Sequence, residues 1–249
     1  MRQAKTDIIA RLQREVIGLQ GFNLSENVVV NEKLGPIASA LPGGTFPLGA
    51  VHEFLCEGYE TAASTIGFLG GLISSVIENK GAIVWASASR FVFPPGLSGY
   101  GIEPDRFIFI DLNKSKDILW TMEEALKCSA VRAVVGELTD LNFTTSRRLQ
   151  LAVEQSKVTG FVLRSRNPGT TACVSRWRVT PLPSHTVENI PGIGVPQWRV
   201  ELLRIRNGRP GAWDIRWEDS RFISAAVEET KADSIDQRTE PAYIRSKTG

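Results

Sequence analysis

Between Val51 and Arg164 the chain alternates short, almost wholly apolar runs with longer stretches in which apolar positions recur every three or four residues. The short runs are Val51 to Leu55, Ala82 to Ala86, Phe107 to Asp111, Ala133 to Glu137 and Gly160 to Arg164. A strand that is apolar on both faces has to be covered on both, so these runs predict the interior of a parallel sheet. The intervening stretches are Thr61 to Glu78, a short one at Gly96 to Gly99, Ser115 to Cys128 and Thr144 to Ser156. They carry the helical period; in the third, Ile118, Leu119, Met122 and Leu126 fall on one side. Regular alternation of this kind predicts an α/β fold, with parallel strands joined by right-handed crossovers and helices on both faces.

Beyond Arg164 the period changes to two. Val174 to Thr180, Gln197 to Arg206 and Ala212 to Glu218 read as strands, with Asn207-Gly-Arg-Pro-Gly211 as the turn before the last. In that last run Trp213, Ile215 and Trp217 alternate with Asp214, Arg216 and Glu218, as a half-buried antiparallel strand requires. The mainly parallel sheet is therefore expected to gain antiparallel strands toward the C-terminus, with Pro181 to Pro196 as a loop. At the other end, Ile8, Leu12, Val16 and Leu19 form an apolar stripe at helical spacing, with Lys5, Arg11 and Arg14 on other faces. This amphipathic helix either folds back on its own domain or docks on a neighbouring chain, giving self-association or a partner contact. From Ala225 the sequence is rich in charge and Ser/Thr, with Tyr243-Ile244 its one aromatic-aliphatic pair, so disorder or folding on a partner is expected there. The organisation predicted is residues 1–38 as helix and linker, 39–223 as the core domain and 224–249 as a tail.

Composition narrows the class. A chain of 249 residues with 42% apolar content can bury one α/β core. Cys56, Cys128 and Cys173 are odd in number and far apart, which suits reduced thiols rather than a disulfide scaffold. The first fifteen residues are charged throughout and no apolar run approaches the ~20 residues of a bilayer span, so a cytoplasmic protein is expected. Net charge is +2, but residues 144–216 hold twelve Lys/Arg against four Asp/Glu. That basic half suits nucleic acid, and its arginines equally suit bidentate carboxylate pairing.

Gly49 to Ala88 is laid out as strand, loop, helix and strand, the arrangement in which a phosphate loop sits. Such a loop reads G-x-x-x-x-G-K-[ST], because glycines open the backbone amides to phosphate, the lysine meets the β/γ-phosphates and the hydroxyl holds magnesium. Here the junction reads Cys56-Glu-Gly-Tyr-Glu-Thr-Ala-Ala-Ser-Thr65. No lysine lies between Val51 and Ile77, and Glu57 and Glu60 place negative charge where phosphate would go. The degenerate loop residues are Cys56, Gly58, Thr61, Ala62, Ala63, Ser64 and Thr65; no bound cofactor or metal, and no ATPase activity, is expected. An unconventional ATPase would have to recruit Lys80 or Lys114. His52 and His185 lie too far apart in sequence for a zinc or triad pattern, and His52 is expected to be a packed or hydrogen-bonded strand residue. Of six tryptophans, four follow residue 176; core or hairpin packing is favoured over base stacking.

Candidate contacts to DNA or a partner are Arg147, Arg148, Arg164, Arg166, Arg204 and Arg206. The first two sit in a helix for which Thr144-Thr-Ser146 would supply the N-cap; a solvated face, a phosphate contact and a partner carboxylate are all open readings. Arg164 and Arg166 follow a strand's carboxyl end, where α/β sheets present ligands.

The order of elements over roughly residues 40–222, with Ala40-Leu-Pro-Gly-Gly-Thr-Phe-Pro-Leu-Gly-Ala-Val-His-Glu53 as its entry, resembles the core of the RecA recombinase ATPases. Three departures fall on that family's catalytic positions. The loop lysine is replaced by Ala62 or Ser64; Ala86-Ser-Ala-Ser-Arg90 lacks the water-activating glutamate; Gly136-Glu137 stands near the metal-side acid, with Glu137 a possible remnant. A narrower set of segments is similar to the ImuA family of bacterial inducible-mutagenesis operons: Asp117-Ile-Leu-Trp-Thr-Met-Glu-Glu-Ala-Leu-Lys-Cys128, Thr145-Ser-Arg-Arg-Leu-Gln-Leu-Ala152, Ser175-Arg-Trp-Arg-Val179 and Trp198-Arg-Val-Glu-Leu-Leu-Arg204. That resemblance implies a non-catalytic accessory protein in DNA-damage-induced translesion synthesis, acting beside ImuB, a Y-family polymerase homologue, and an error-prone DNA polymerase. Direct DNA or ATP binding by a RecA-like protein, or division inhibition as by the related SulA, are the alternatives.

Overall fold

The computed structural model describes residues 32–77, 81–88, 92–165, 169–185 and 194–225. Among them, nine strands form one mixed sheet: β1 (Val51–Leu55), β2 (Ala82–Ser87), β3 (Phe107–Asp111), β4 (Val131–Leu138), β5 (Thr159–Arg164), β6 (Ser175–His185), β7 (Val195–Ile205), β8 (Gly211–Glu218) and β9 (Arg221–Ser224). Their order is β3-β2-β4-β5-β1-β6-β7-β8-β9. Pairings from β3 through β6 are parallel and those from β6 to β9 antiparallel. The helices are α1 (Tyr59–Val76), the single turn α2 (Pro94–Leu97), α3 (Ser115–Lys127) and α4 (Phe143–Ser156). The α/β class and the antiparallel addition are as the periodicity predicts.

The double covering implied by all-apolar strands is met by two cores. Successive residues of β2 point to opposite faces: Ile83 and Trp85 join the larger core beneath α1, while Val84 and Ala86 join the smaller core beneath α3 and α4. In β4, Ala133 and Val135 divide from Val134 in the same way. Ile118, Met122 and Leu126 of α3 and Leu149 and Val153 of α4 are buried against that second face, with Leu119 half-buried at its margin. A side chain at Gly136 would collide with Met122, so this glycine sets how closely α3 approaches β4.

The structure corrects some of these expectations and adds to others. The linker assigned up to residue 38 enters the core: Leu34 and Ile37 are fully buried, and Gly35 takes φ 55° while lying against the Phe222 backbone. Pro181 to His185 continue β6 instead of starting a loop, because they pair with β7 as far as Val195. β9 is an added strand, too short for a periodic signal. The N-cap of α4 is Asn142, whose side chain accepts a 2.9 Å hydrogen bond from the Thr145 amide, and Thr144 to Ser146 lie inside the helix. The helix expected at Ile8, Leu12, Val16 and Leu19, and the tail beyond Ala225, lie outside the described residues. None of the described helices is long and apolar enough to cross a membrane.

Candidate functional site

At the carboxyl ends of β1, β4 and β5, where the chain turns into α1, a cleft of about 500 Å³ opens. Gly58 turns the chain with φ 96° and starts the 18-residue helix without a side-chain cap. Of the seven loop residues singled out from the sequence, Cys56, Gly58 and Ala62 line the cleft, joined by Ile66, Glu137 and Leu163. The hydroxyls that could have held a metal are turned back onto the helix: Thr61 donates to the Gly58 carbonyl at 3.0 Å, Ser64 to Glu60 at 2.8 Å and Thr65 to Thr61 at 2.6 Å. Ala63 is exposed and does not line the cleft.

The cleft's titratable groups are set by burial. Glu137 accepts a 2.8 Å hydrogen bond from the Trp85 indole N–H, yet burial raises its carboxyl above the usual range. Burial likewise pushes the Cys56 thiol up to about 11, so it stays protonated and a poor nucleophile at neutral pH. Glu57 and Glu60, next in sequence to the lining residues Cys56, Gly58 and Tyr59, are exposed. The one basic residue in the lining is Arg164, whose guanidinium is committed elsewhere. Lys114 precedes α3 next to the edge strand β3 and does not line the cleft; Lys80 lies outside the described residues. Among the described residues that line the cleft, Arg164 is the one cation, and its guanidinium is held by Glu53 and Asp140.

On the other face of β1 lies a second polar centre. Glu53 is fully buried in mid-strand. Its Oε2 accepts from Arg164 at 3.1 Å, and its Oε1 accepts from Arg176 at 2.8 Å and from the Thr171 hydroxyl. Arg164 also donates to Asp140 at 2.9 Å, and Arg204 reaches within 3.7 Å of Glu53 while donating to the carbonyls of Thr171 (3.2 Å) and Cys173 (2.7 Å). A carboxylate in a strand covered on both faces has to be paired, and these arginines on β5, β6 and β7 supply the pairing. The network ties the parallel half of the sheet to its antiparallel half.

These positions revise the candidate arginines. Arg164 has a side chain with 0% exposure and is a buried ion-pair partner, not a surface contact. Arg204 is half-exposed and anchors the chain entering β6. Arg147 and Arg148 are exposed on α4, with Arg148 bridged to Glu123 of α3. Arg206 is exposed beyond β7, and Arg166 lies outside the described residues. Sequence reading missed Glu53 and Arg176; the signal available was a single acid, next to His52, inside a short strand of otherwise apolar residues.

The face of the antiparallel half that points away from the larger core carries crossed charges. Arg178 lies 3.6 Å from Glu201, Arg199 3.4 Å from Asp214 and Arg216 2.7 Å from Glu218. Trp177, Trp198 and Trp217 are buried in the larger core and Trp213 packs against it, so none offers a stacking platform. His52 is buried, with Nδ1 2.6 Å from the Ser175 hydroxyl and Nε2 2.8 Å from the Pro47 carbonyl. Burial lowers its pKa to about 4. It is the hydrogen-bonded strand residue expected. Among the described residues no group of three His, Cys, Asp or Glu side chains is placed to hold a metal.

Fold and site together define an α/β protein with a mixed sheet whose phosphate-loop position is occupied by carboxylates, a thiol and apolar side chains. Comparison with known proteins gives the particular group. The chain is 37% identical over 198 residues to Protein ImuA of Caulobacter vibrioides strain NA1000 / CB15N, an alignment covering 74% of this chain and 81% of that protein. Protein ImuA of strain ATCC 19089 / CIP 103742 / CB 15 matches to the same extent. The chain belongs to the ImuA family, as its similar segments anticipate. No protein-family model matches it.

Proposed function

We propose that the protein is a non-catalytic accessory factor of DNA-damage-induced (SOS) mutagenesis and translesion DNA synthesis. It acts through protein contacts with an ImuB-like Y-family polymerase homologue and an error-prone DNA polymerase. Membership of the ImuA family supports the setting. The observation that carries the non-catalytic part is the cleft at α1. Its hydroxyls are bonded back to the helix, Glu57 and Glu60 are exposed next in sequence to its lining residues, and no lysine lines it among the described residues. Three phosphate-binding contributions are absent together, and the helix N-terminal dipole that would favour an anion is opposed by carboxylates.

Direct DNA binding through the basic half has less support. Arg176, Arg178, Arg199, Arg204 and Arg216 each have a carboxylate within 4 Å, which leaves less positive charge free for phosphates than the sequence surplus implies. Co-purification of the full-length chain with the polymerase-like homologue from the same cell tests the proposal. Stoichiometric co-elution is expected. Failure to co-elute, together with DNA retention that falls steeply with salt, would replace it by a DNA-binding reading.

A further inference from the structure

The cleft at α1 has lost what phosphate needs, but it has not been filled in. A space of about 500 Å³ lies within the range of pockets that hold small ligands or a few side chains. Its inner wall is apolar, formed by Ala62 and Ile66 from α1, Leu163 from β5 and Leu138 from β4. Tyr59, 77% exposed, stands among the lining residues at the first turn of α1. Among the described residues the uncommitted charge at the cleft is negative: Glu57 and Glu60, next in sequence to the lining residues Cys56, Gly58 and Tyr59, are exposed, Glu137 lies in the lining, and the guanidinium of Arg164 is held by Glu53 and Asp140. Apolar walls with a carboxylate rim select against nucleotides, nucleic acid and acidic peptides. They favour a group that is apolar at its tip and cationic beside it.

We propose that this cleft is a docking site for a protein segment in which a bulky apolar side chain is followed directly by Lys or Arg. The apolar side chain enters between Ala62, Ile66 and Leu163, and the cation meets Glu57 and Glu60. The proposal rests on the reading of the protein as a contact-making accessory factor, and it names the surface and the partner's chemistry. Tyr59 flanks the entering chain, where its ring gives a face to either the apolar group or the cation.

Amide shifts in two-dimensional NMR spectra of the isotopically labelled full-length chain test this with two defined probes, the capped peptides N-acetyl-Gly-Phe-Lys-Arg-amide and N-acetyl-Gly-Phe-Glu-Glu-amide. The basic probe is expected to move the amides of Gly58, Ala62 and Ser165 saturably. The acidic probe should bind about tenfold more weakly, the order expected of two or three rim charge contacts. The double variant Glu57→Lys with Glu60→Lys, both at exposed positions, should reverse the preference, and Ala62→Trp should remove binding of both probes. No saturable shift at the cleft, equal binding of the two probes, or a preference for the acidic one each overturn the proposal. Magnesium ATP serves as a third titrant: if it shifts these amides, the non-catalytic reading fails as well, whereas peptide failure with no ATP response removes only the docking site.

Discussion

Replacing Arg164 by methionine separates a buried ion-pair role from a surface one. The substitution keeps an unbranched side chain but removes the guanidinium that joins Glu53 at 3.1 Å to Asp140 at 2.9 Å. Asp140 is 73% exposed at its side chain, so its share is under about 1 kcal/mol. Glu53 is fully buried, and breaking a buried pair typically costs about 3–5 kcal/mol because a charge is left without compensation. Arg176 at 2.8 Å and the Thr171 hydroxyl remain on Oε1, which places the expected loss toward the lower end, about 3 kcal/mol. For a domain of this size that corresponds to a melting temperature lower by roughly 6–12 °C. Urea denaturation followed by circular dichroism should show a lower midpoint with an unchanged slope. Arg147→Met, on the exposed face of α4, should stay within about 0.5 kcal/mol. A loss below about 1 kcal/mol for Arg164→Met would refute the argument that Glu53 depends on it.

Other predictions follow the same physics. His52 has its pKa lowered to about 4 in the folded state against 6.5 unfolded, so its contribution is complete above pH 6.5 and is lost as the pH falls toward 4. The full effect is on the order of 3 kcal/mol, and a His52→Gln variant should lose that part of the acid sensitivity when unfolding is followed between pH 7 and 4.5. Asn142→Ala should cost about 1 kcal/mol by removing the cap on Thr145, whereas Thr144→Ala should be near neutral; equal losses would contradict the cap assignment. Gly136→Ala should cost about 1–3 kcal/mol because the added methyl meets Met122, and adding Met122→Ala should recover part of it in a double-mutant cycle.

The parts of the fold legible in the sequence are those fixed by local periodicity. β1 and β3 begin and end where their apolar runs do, and β2, β4 and β5 differ by at most two residues at either end. The alternation of Trp213, Ile215 and Trp217 marked β8 for the same reason. What required the folded chain was long-range pairing. Glu53 meets partners 111 and 123 residues away, at Arg164 and Arg176, so the sequence displayed a lone acid and scattered arginines without their connection. Arg164 looked like a surface residue because it closes a strand at the ligand-bearing end, yet its side chain turns toward Glu53. β9 gave no signal, since Arg221-Phe-Ile-Ser is held by pairing to β8 and by the residues around Gly35, not by a pattern of its own. The cleft was legible mainly in its negative part: a missing lysine can be read from sequence, while the apolar wall formed with Leu138 and Leu163 cannot.

The central claim is that the phosphate-loop position of this fold has no phosphate chemistry. Calorimetric titration of the full-length chain with ATP, with and without magnesium, tests it most directly. The account predicts no heat of binding in either condition; a micromolar, magnesium-dependent isotherm would contradict it.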